Sequence, residues 1–181
     1  MTSVKFVPAD QYNGSPIVPT GNPMVDGVGP SSYNASRRDE PDRTFHGAAK
    51  IVPMRADAAF FVAKGDPDPR GLPVIAADKA VAGSVVDIWV NRAEPQVCYY
   101  EVQLAGSDQR RLLPVGFVQW PNFGLWGNDR LLVKSITAAQ FQNVPTTASA
   151  EQITLLEEDK IGAYYAGGHL YATASRSQPI I

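Results

Sequence analysis

Between residues 83 and 120 the chain reads GSVVDIWVNRAEPQVCYYEVQLAGSDQRRLLPVGFVQW, a run that suits three consecutive antiparallel strands. β-Branched and aromatic residues dominate positions 85–90, and the pattern stops at Asn91-Arg92-Ala93-Glu94-Pro95, a turn composition. A second strand over 97–104 closes at Ala105-Gly106-Ser107-Asp108. A third starts at Arg111, with Pro114 suited to an edge or a bulge. Side chains alternate along a strand, so Val86, Ile88 and Val90 are expected on one core face with Cys98, Tyr100, Val102 and Leu104. Asp87, Glu101 and Gln103 are expected on the other face. Glu94 then sits at the tip between the first two strands, where a carboxylate faces water or a partner.

The rest of the chain supports a mainly β protein. Fifteen Gly and fifteen Pro point to many turns and little helix. A hydrophobic share of 44% against 19% charged is that of a folded protein rather than a disordered chain. A net charge of −2 without blocks of like charge gives no support for a nucleic-acid surface. The single Cys98 excludes an internal disulfide framework, and within a strand it reads as an inert buried thiol. No secretory signal opens the sequence. The longest uncharged run, 112–128, is broken by Pro, Gly and Asn, so it is not a membrane helix and a soluble chain is expected.

Three regions follow from these signals. Residues 1–49 carry six prolines and the turn dipeptides Asn13-Gly14, Gly21-Asn22, Asp26-Gly27 and Gly29-Pro30. Ile17, Val18, Met24, Val25, Val28 and Tyr33 supply anchors for an extended arm laid over a surface. Residues 50–145 hold the strand signals, with further candidates at 51–54, 59–63, 72–76 and 131–136, which suggests a small barrel or sandwich. Residues 146–181 are expected to form a short C-terminal helix and tail packed on the β core. Thr154 and Glu157 make a capping box, Ile161, Tyr164 and Tyr165 extend an apolar face, and Gly167-Gly168 is the expected stop. A second capping box, Thr137 and Gln140, fits a single turn before Pro145.

Chemistry-bearing constellations are sparse. The two histidines, His46 and His169, lie far apart without ligand-spaced partners, so no metal site is expected. No Gly-x-Ser-x-Gly elbow supports a nucleophile, and Gly27-Val28-Gly29 lacks the strand and helix that a phosphate loop needs. The residues read as a binding or scaffolding module, not an enzyme. Two features remain: the loop groups His46, Asp42 and Glu94, which could carry protons, and the aromatic tip Trp120, Phe123 and Trp126, which suits contact with a partner or a membrane interface.

Specific strings go further. PTGNPMVDGVGPSSY, KIVPM, GLPV, GSVVDIWVNRAE, RRLLP and ITLLEEDKIGAYYAGGHLYA occur in this order from residue 19 to residue 172. Together they resemble the cytoplasmic part of the H subunit of purple-bacterial-type photosynthetic reaction centres, over about residues 16–181. The resemblance implies a small PRC-type β-barrel and a non-catalytic subunit that caps the L and M subunits. It also implies shielding of the quinones and assisted proton delivery to the secondary quinone. Relatives carry an N-terminal transmembrane helix before this region, and its absence here leads us to expect a separately encoded subunit.

By the same resemblance Glu94 matches the tip carboxylate near the secondary quinone, and Asn91 stands where an Asp is usual. His46 matches the first of two surface histidines, the second being replaced by Ala48 and the preceding acid by Thr44. Asp42 matches another acid of that loop. No cofactor is expected on this chain alone. Bacteriochlorophyll, bacteriopheophytin, quinones and non-haem iron belong to the implied complex. Expected partners are L and M, a separate membrane-anchoring H-type subunit, light-harvesting proteins and the membrane surface, with no nucleic acid. The implied location is the cytoplasmic face of the photosynthetic inner or intracytoplasmic membrane. The competing expectation is a free-standing PRC-barrel adaptor for a protein or RNA partner.

Overall fold

The structure, a computed structural model, describes residues 5–121 and 129–177. Its centre is the expected ribbon: strand β5 (Val81–Asn91) pairs antiparallel with β6 (Gln96–Leu104), which pairs with β7 (Arg110–Pro114). β7 is an edge strand, which is where Pro114 causes no loss of pairing. The other edge of β5 is shared end to end. β3 (Ile51–Pro53) pairs with its last residues and β4 (Pro73–Ile75) with its first. β4 continues through a parallel contact to β9 (Leu131–Val133), which takes β8 (Val118–Gln119) on its far side. The sheet does not close, so the barrel is an open one.

The expected strand at 59–63 is absent. Both edges of β5 are already occupied, and 59–63 runs as irregular chain with Phe60 and Val62 half-buried and Phe61 78% exposed. Alternation there survives without a ladder to join.

Two bulges in the β5–β6 pairing, between Val85 and Asp87 and between Trp89 and Val90, redistribute the expected core face. Val85, Trp89, Tyr99, Val102 and Leu104 belong to the main core with Leu113, Phe141, Ile161 and Tyr165. Ile88 and Val90 instead join a smaller cluster with Val52 and Met54, and Tyr100 bridges the two. Val86 and Cys98 are only half-buried.

The face that carries Asp87 and Glu101 is sealed. Asp87 and Glu101 are each 5% exposed, because Arg55 reaches between them. Its Nη1 donates to Asp87 Oδ2 at 2.7 Å and to Glu101 Oε2, and Nη2 donates to the Ala150 carbonyl. Glu101 also accepts from Arg110 Nη1 and Trp89 Nε1, both at 3.0 Å. Burial by itself would push the Glu101 carboxyl up. The hydrogen bonds from Trp89, Arg55 and Arg110 outweigh it and hold the group below its ordinary value.

Helix α2 (Leu155–Tyr171) packs across the main core. Thr154 and Glu157 form the expected capping box, and Glu157 is buried where it also accepts from the Ala148 amide at 2.6 Å. Ile161, Tyr164 and Tyr165 bury the expected apolar face, at roughly 2 kcal/mol per side chain.

The helix does not stop at Gly167-Gly168. These glycines are interior and serve close packing: a Cβ at Gly167 would overlap the Ser31 side chain, and one at Gly168 would overlap Ser135 and Ile136. Arg176 then closes the helix end by donating to the Ser135, Gly168 and Lys134 carbonyls. The capping box at Thr137 is also present, opening a 3-10 turn over Ala138–Asn143.

The arm is laid over a surface, and that surface is α2. A short helix α1 (Pro23–Asp26) and the 3-10 turn Gly29–Ser31 pack on it, burying Met24, Val28 and Ser31. Further on, the Leu155 and Leu156 amides donate to the Glu40 and Arg38 carbonyls, and Arg37 pairs with Asp159 at 3.5 Å. Of the anchors read from sequence, Ile17, Val18, Val25 and Tyr33 stay exposed. Ahead of α1 the arm is not irregular: β1 (Phe6–Pro8) and β2 (Ile17–Pro19) form a separate two-stranded hairpin.

Candidate functional site

The β5–β6 tip is a four-residue turn, Arg92 to Pro95, and its shape comes from Asn91. The Asn91 side chain is buried, and its Oδ1 accepts from the Ala93 and Glu94 amides at 2.9 and 3.2 Å. That fold-back sets the direction in which the exposed Glu94 leaves the turn. The tip is fastened sideways too. The Arg92 amide donates to the Lys50 carbonyl at 2.8 Å, and Arg92 pairs with Asp57 at 3.3 Å.

Lys50 joins the tip to the arm. Its amide donates to the Asp42 carbonyl at 2.7 Å, and its Nζ lies 3.2 Å from Asp42 Oδ2. The Lys50 ammonium holds the Asp42 carboxyl below its ordinary value. In return Asp42 holds the ammonium up, with Glu94 and Glu158 adding weaker fields. Asp42 and Glu94, 52 residues apart in sequence (94 − 42), therefore act on the same cation.

Glu158 is the member that sequence reasoning missed. Its place in the first turn of α2 suits the positive end of the helix dipole. The structure turns it against β6, where it accepts from the Tyr99 hydroxyl at 3.1 Å. Burial pushes its carboxyl up, and the Tyr99 hydrogen bond only partly offsets this. Burial and the Glu158 charge also push the Tyr99 hydroxyl far up, so Tyr99 donates to Glu158 without losing its proton. The group includes one carboxyl held low, one held high and one exposed, around a single lysine. The signal available in sequence was the buried-strand Tyr99 together with the surplus of acids at the helix start.

His46 stands apart from these groups. It is exposed in the tight hairpin closed by the Arg43–Ala49 bridge, with its ring edge-on to Phe45 at 5.3 Å. Phe45 is 99% exposed. Cys98, near the tip, has its thiol pushed up by burial, which suits the inert role read from sequence. Trp120 is half-buried against the main core and lines a groove of about 700 Å³ with Phe60, Phe61, Val97 and Tyr100. Phe123 and Trp126 lie outside the described residues. Among the described residues, no helix is long and apolar enough to cross a membrane.

Comparison with known families gives two matches. Residues 1–56 match the family described as the photosynthetic reaction centre H-chain N-terminal region, and residues 62–140 match the PRC-barrel domain. The first match includes the opening residues that the resemblance had left unassigned. The second starts between β3 and β4 and runs into the 3-10 turn that precedes α2.

Proposed function

Taking as premise that the chain is an H-subunit-type PRC-barrel protein, we propose that it is a non-catalytic subunit that caps the L/M core on the cytoplasmic side and helps protons reach the secondary quinone. The family match associates the chain with a reaction centre complex and fits a structural subunit. The finer role rests on one observation: at the turn end of the β5–β6 hairpin Lys50 pairs with Asp42 and feels the charges of Glu94 and Glu158.

In this reading protons enter past the exposed His46 and the Asp42–Lys50 pair, Glu158, whose carboxyl burial holds up, keeps one, and Glu94 hands it toward the partner. Asn91 carries no proton. It positions Glu94 through the two amide hydrogen bonds that fix the turn. The pigments, quinones and iron of the complex would be held by its other subunits. Trp120 and the groove beside it offer a partner-facing surface next to the tip. The adaptor reading is disfavoured by the match over residues 1–56, since a free-standing PRC-barrel has no use for an H-chain N-terminal region.

The test is flash-induced proton uptake in a reaction centre carrying Glu94→Gln. The second, proton-coupled electron transfer should slow while the first keeps its rate. An unchanged second transfer removes Glu94 from the path.

A further inference from the structure

The β1–β2 hairpin is the least explained part of the molecule. Phe6, Val7, Ile17 and Val18 are each between 43 and 48% exposed, and Tyr12 in the connecting turn is 60% exposed. The strands pack on each other, while the base is tied to α1 by the Lys5 Nζ bond to the Asp26 carbonyl at 2.6 Å. An isolated two-stranded hairpin is marginal in water, so this one is expected to be completed by something outside the chain.

Register says what that something must look like. Phe6 pairs with Pro19, Val7 with Val18 and Pro8 with Ile17. Val7 and Val18 therefore share one face, while Phe6, Pro8, Ile17 and Pro19 share the other. Both faces are apolar, and a partner lying on one face would leave the other in water.

Strand addition at the edges is blocked as well. The Ala9 amide donates to the Pro16 carbonyl and the Thr20 amide to the Lys5 carbonyl, which fixes the phase of the ladder. By alternation Val7 and Val18 face inward, and the outward positions are Phe6, Pro8, Ile17 and Pro19. Two of those four are prolines without an N–H, so neither edge offers a complete template for another strand. A second copy is also a poor occupant. Three residues per strand give each face roughly 100 Å² at the usual strand spacings, far below the ~800 Å² per partner of a stable protein interface.

We propose that the hairpin is a wedge for the headgroup–acyl boundary of a lipid bilayer, which covers both faces at once and needs no matching surface. Its charges fit this: Lys5 and Asp10 cancel, and the remaining side chains from Phe6 to Pro19 are uncharged. Tyr12 at the turn has the apolar ring and polar hydroxyl that favour the interface. Attachment by the wedge is apolar rather than electrostatic. This does not depend on the role proposed for Glu94, because it concerns lipid alone.

The experiment is flotation of the full chain with vesicles of phosphatidylcholine, and separately with vesicles containing phosphatidylglycerol. The chain should float with both, and salt at roughly 0.5 M should not release it, since screening acts on charges. Phe6→Ser/Ile17→Ser/Val18→Ser should lower partitioning by at least about tenfold, a change equivalent to ~1.4 kcal/mol. Its thermal midpoint should hold, because the three side chains lie outside the core.

Phe6→Trp gives a second reading that does not rely on the triple variant. Its emission, after subtraction of the wild-type spectrum, should shift to the blue on adding vesicles. The proposal is overturned if the wild type stays in the aqueous fraction, if only anionic vesicles bind and salt releases them, or if the triple variant floats equally well. Amide protection of the hairpin by a detergent-solubilised reaction-centre core, with none from vesicles, would overturn it in favour of a protein groove.

Discussion

Two groups of carboxylates lie at different points along the central hairpin, and they are built in opposite ways. In its middle Asp87 and Glu101 are buried with Arg55 between them, and Arg110 and Trp89 take the remaining Glu101 lone pairs. Donors saturate the Glu101 carboxylate and hold it below its ordinary value. Toward the turn Asp42, Glu94 and Glu158 act on one lysine, and only Asp42 is within ion-pair distance of it. Burial leaves Glu158 with a raised carboxyl. The contrast shows how one hairpin can carry both a structural and a titrating cluster. Compensation by arginine forks locks the first, and shortage of cations keeps the second responsive.

The largest effect should come from removing the lock. Arg55→Met leaves two buried carboxylates with only Arg110 to answer them, at a cost of about 3 kcal/mol in chemical denaturation. A loss within ~0.5 kcal/mol would show that the buried cluster is no more fixed than an exposed one.

The same cluster sets an acid limit. Glu101 has a folded value below its unfolded one, so its stabilisation is fully present above the unfolded carboxyl value of ~4.3 and is lost as pH falls through the folded value. The Glu101 share of stability should therefore be lost only below that point. In Arg55→Met the folded value moves up toward the unfolded one, so this acid loss, followed by denaturation midpoints from neutral to acid pH, should shrink or reverse.

Glu158 is expected to behave the other way. Its folded value is raised, so stability falls as pH climbs from the ordinary carboxyl value through the folded one. Glu158→Gln should thus be neutral or stabilising by up to about 1 kcal/mol at neutral pH, while slowing the second electron transfer in the assembled complex. A clear destabilisation would place Glu158 with the structural group. Smallest of all is Lys50→Met, with a stability change within about 0.5 kcal/mol. Its readout is the Asp42 carboxyl followed by NMR titration, which should move upward toward the ordinary range.

Much of the architecture was legible in the chain. The three-strand run, the edge position of Pro114 and both capping boxes depend on local alternation, a missing N–H or a side chain reaching its own backbone. The readings that failed did so where a neighbour decides. The 59–63 segment alternates like a strand, but β3 and β4 already fill the β5 edge. Gly167-Gly168 looks like a helix stop, yet both glycines admit Ser31 and Ser135 from other parts of the fold. The β1–β2 hairpin was hidden because its prolines look like breakers, although they sit on its outer edges.

For the site, the residues by themselves picked out Glu94, Asp42 and His46 as titratable groups in loops, and Asn91 entered through the resemblance. The residues also set the turn that carries Glu94, because five residues of turn composition between two strands leave little choice. Tertiary structure alone decided that Asp42 and Glu94 act on Lys50, that Glu158 faces Tyr99, and that Asp87 and Glu101 are sealed by Arg55. The reason is physical. Turns and caps are closed by bonds within a few residues, whereas a carboxyl's proton affinity depends on the cations and apolar groups that distant segments bring against it.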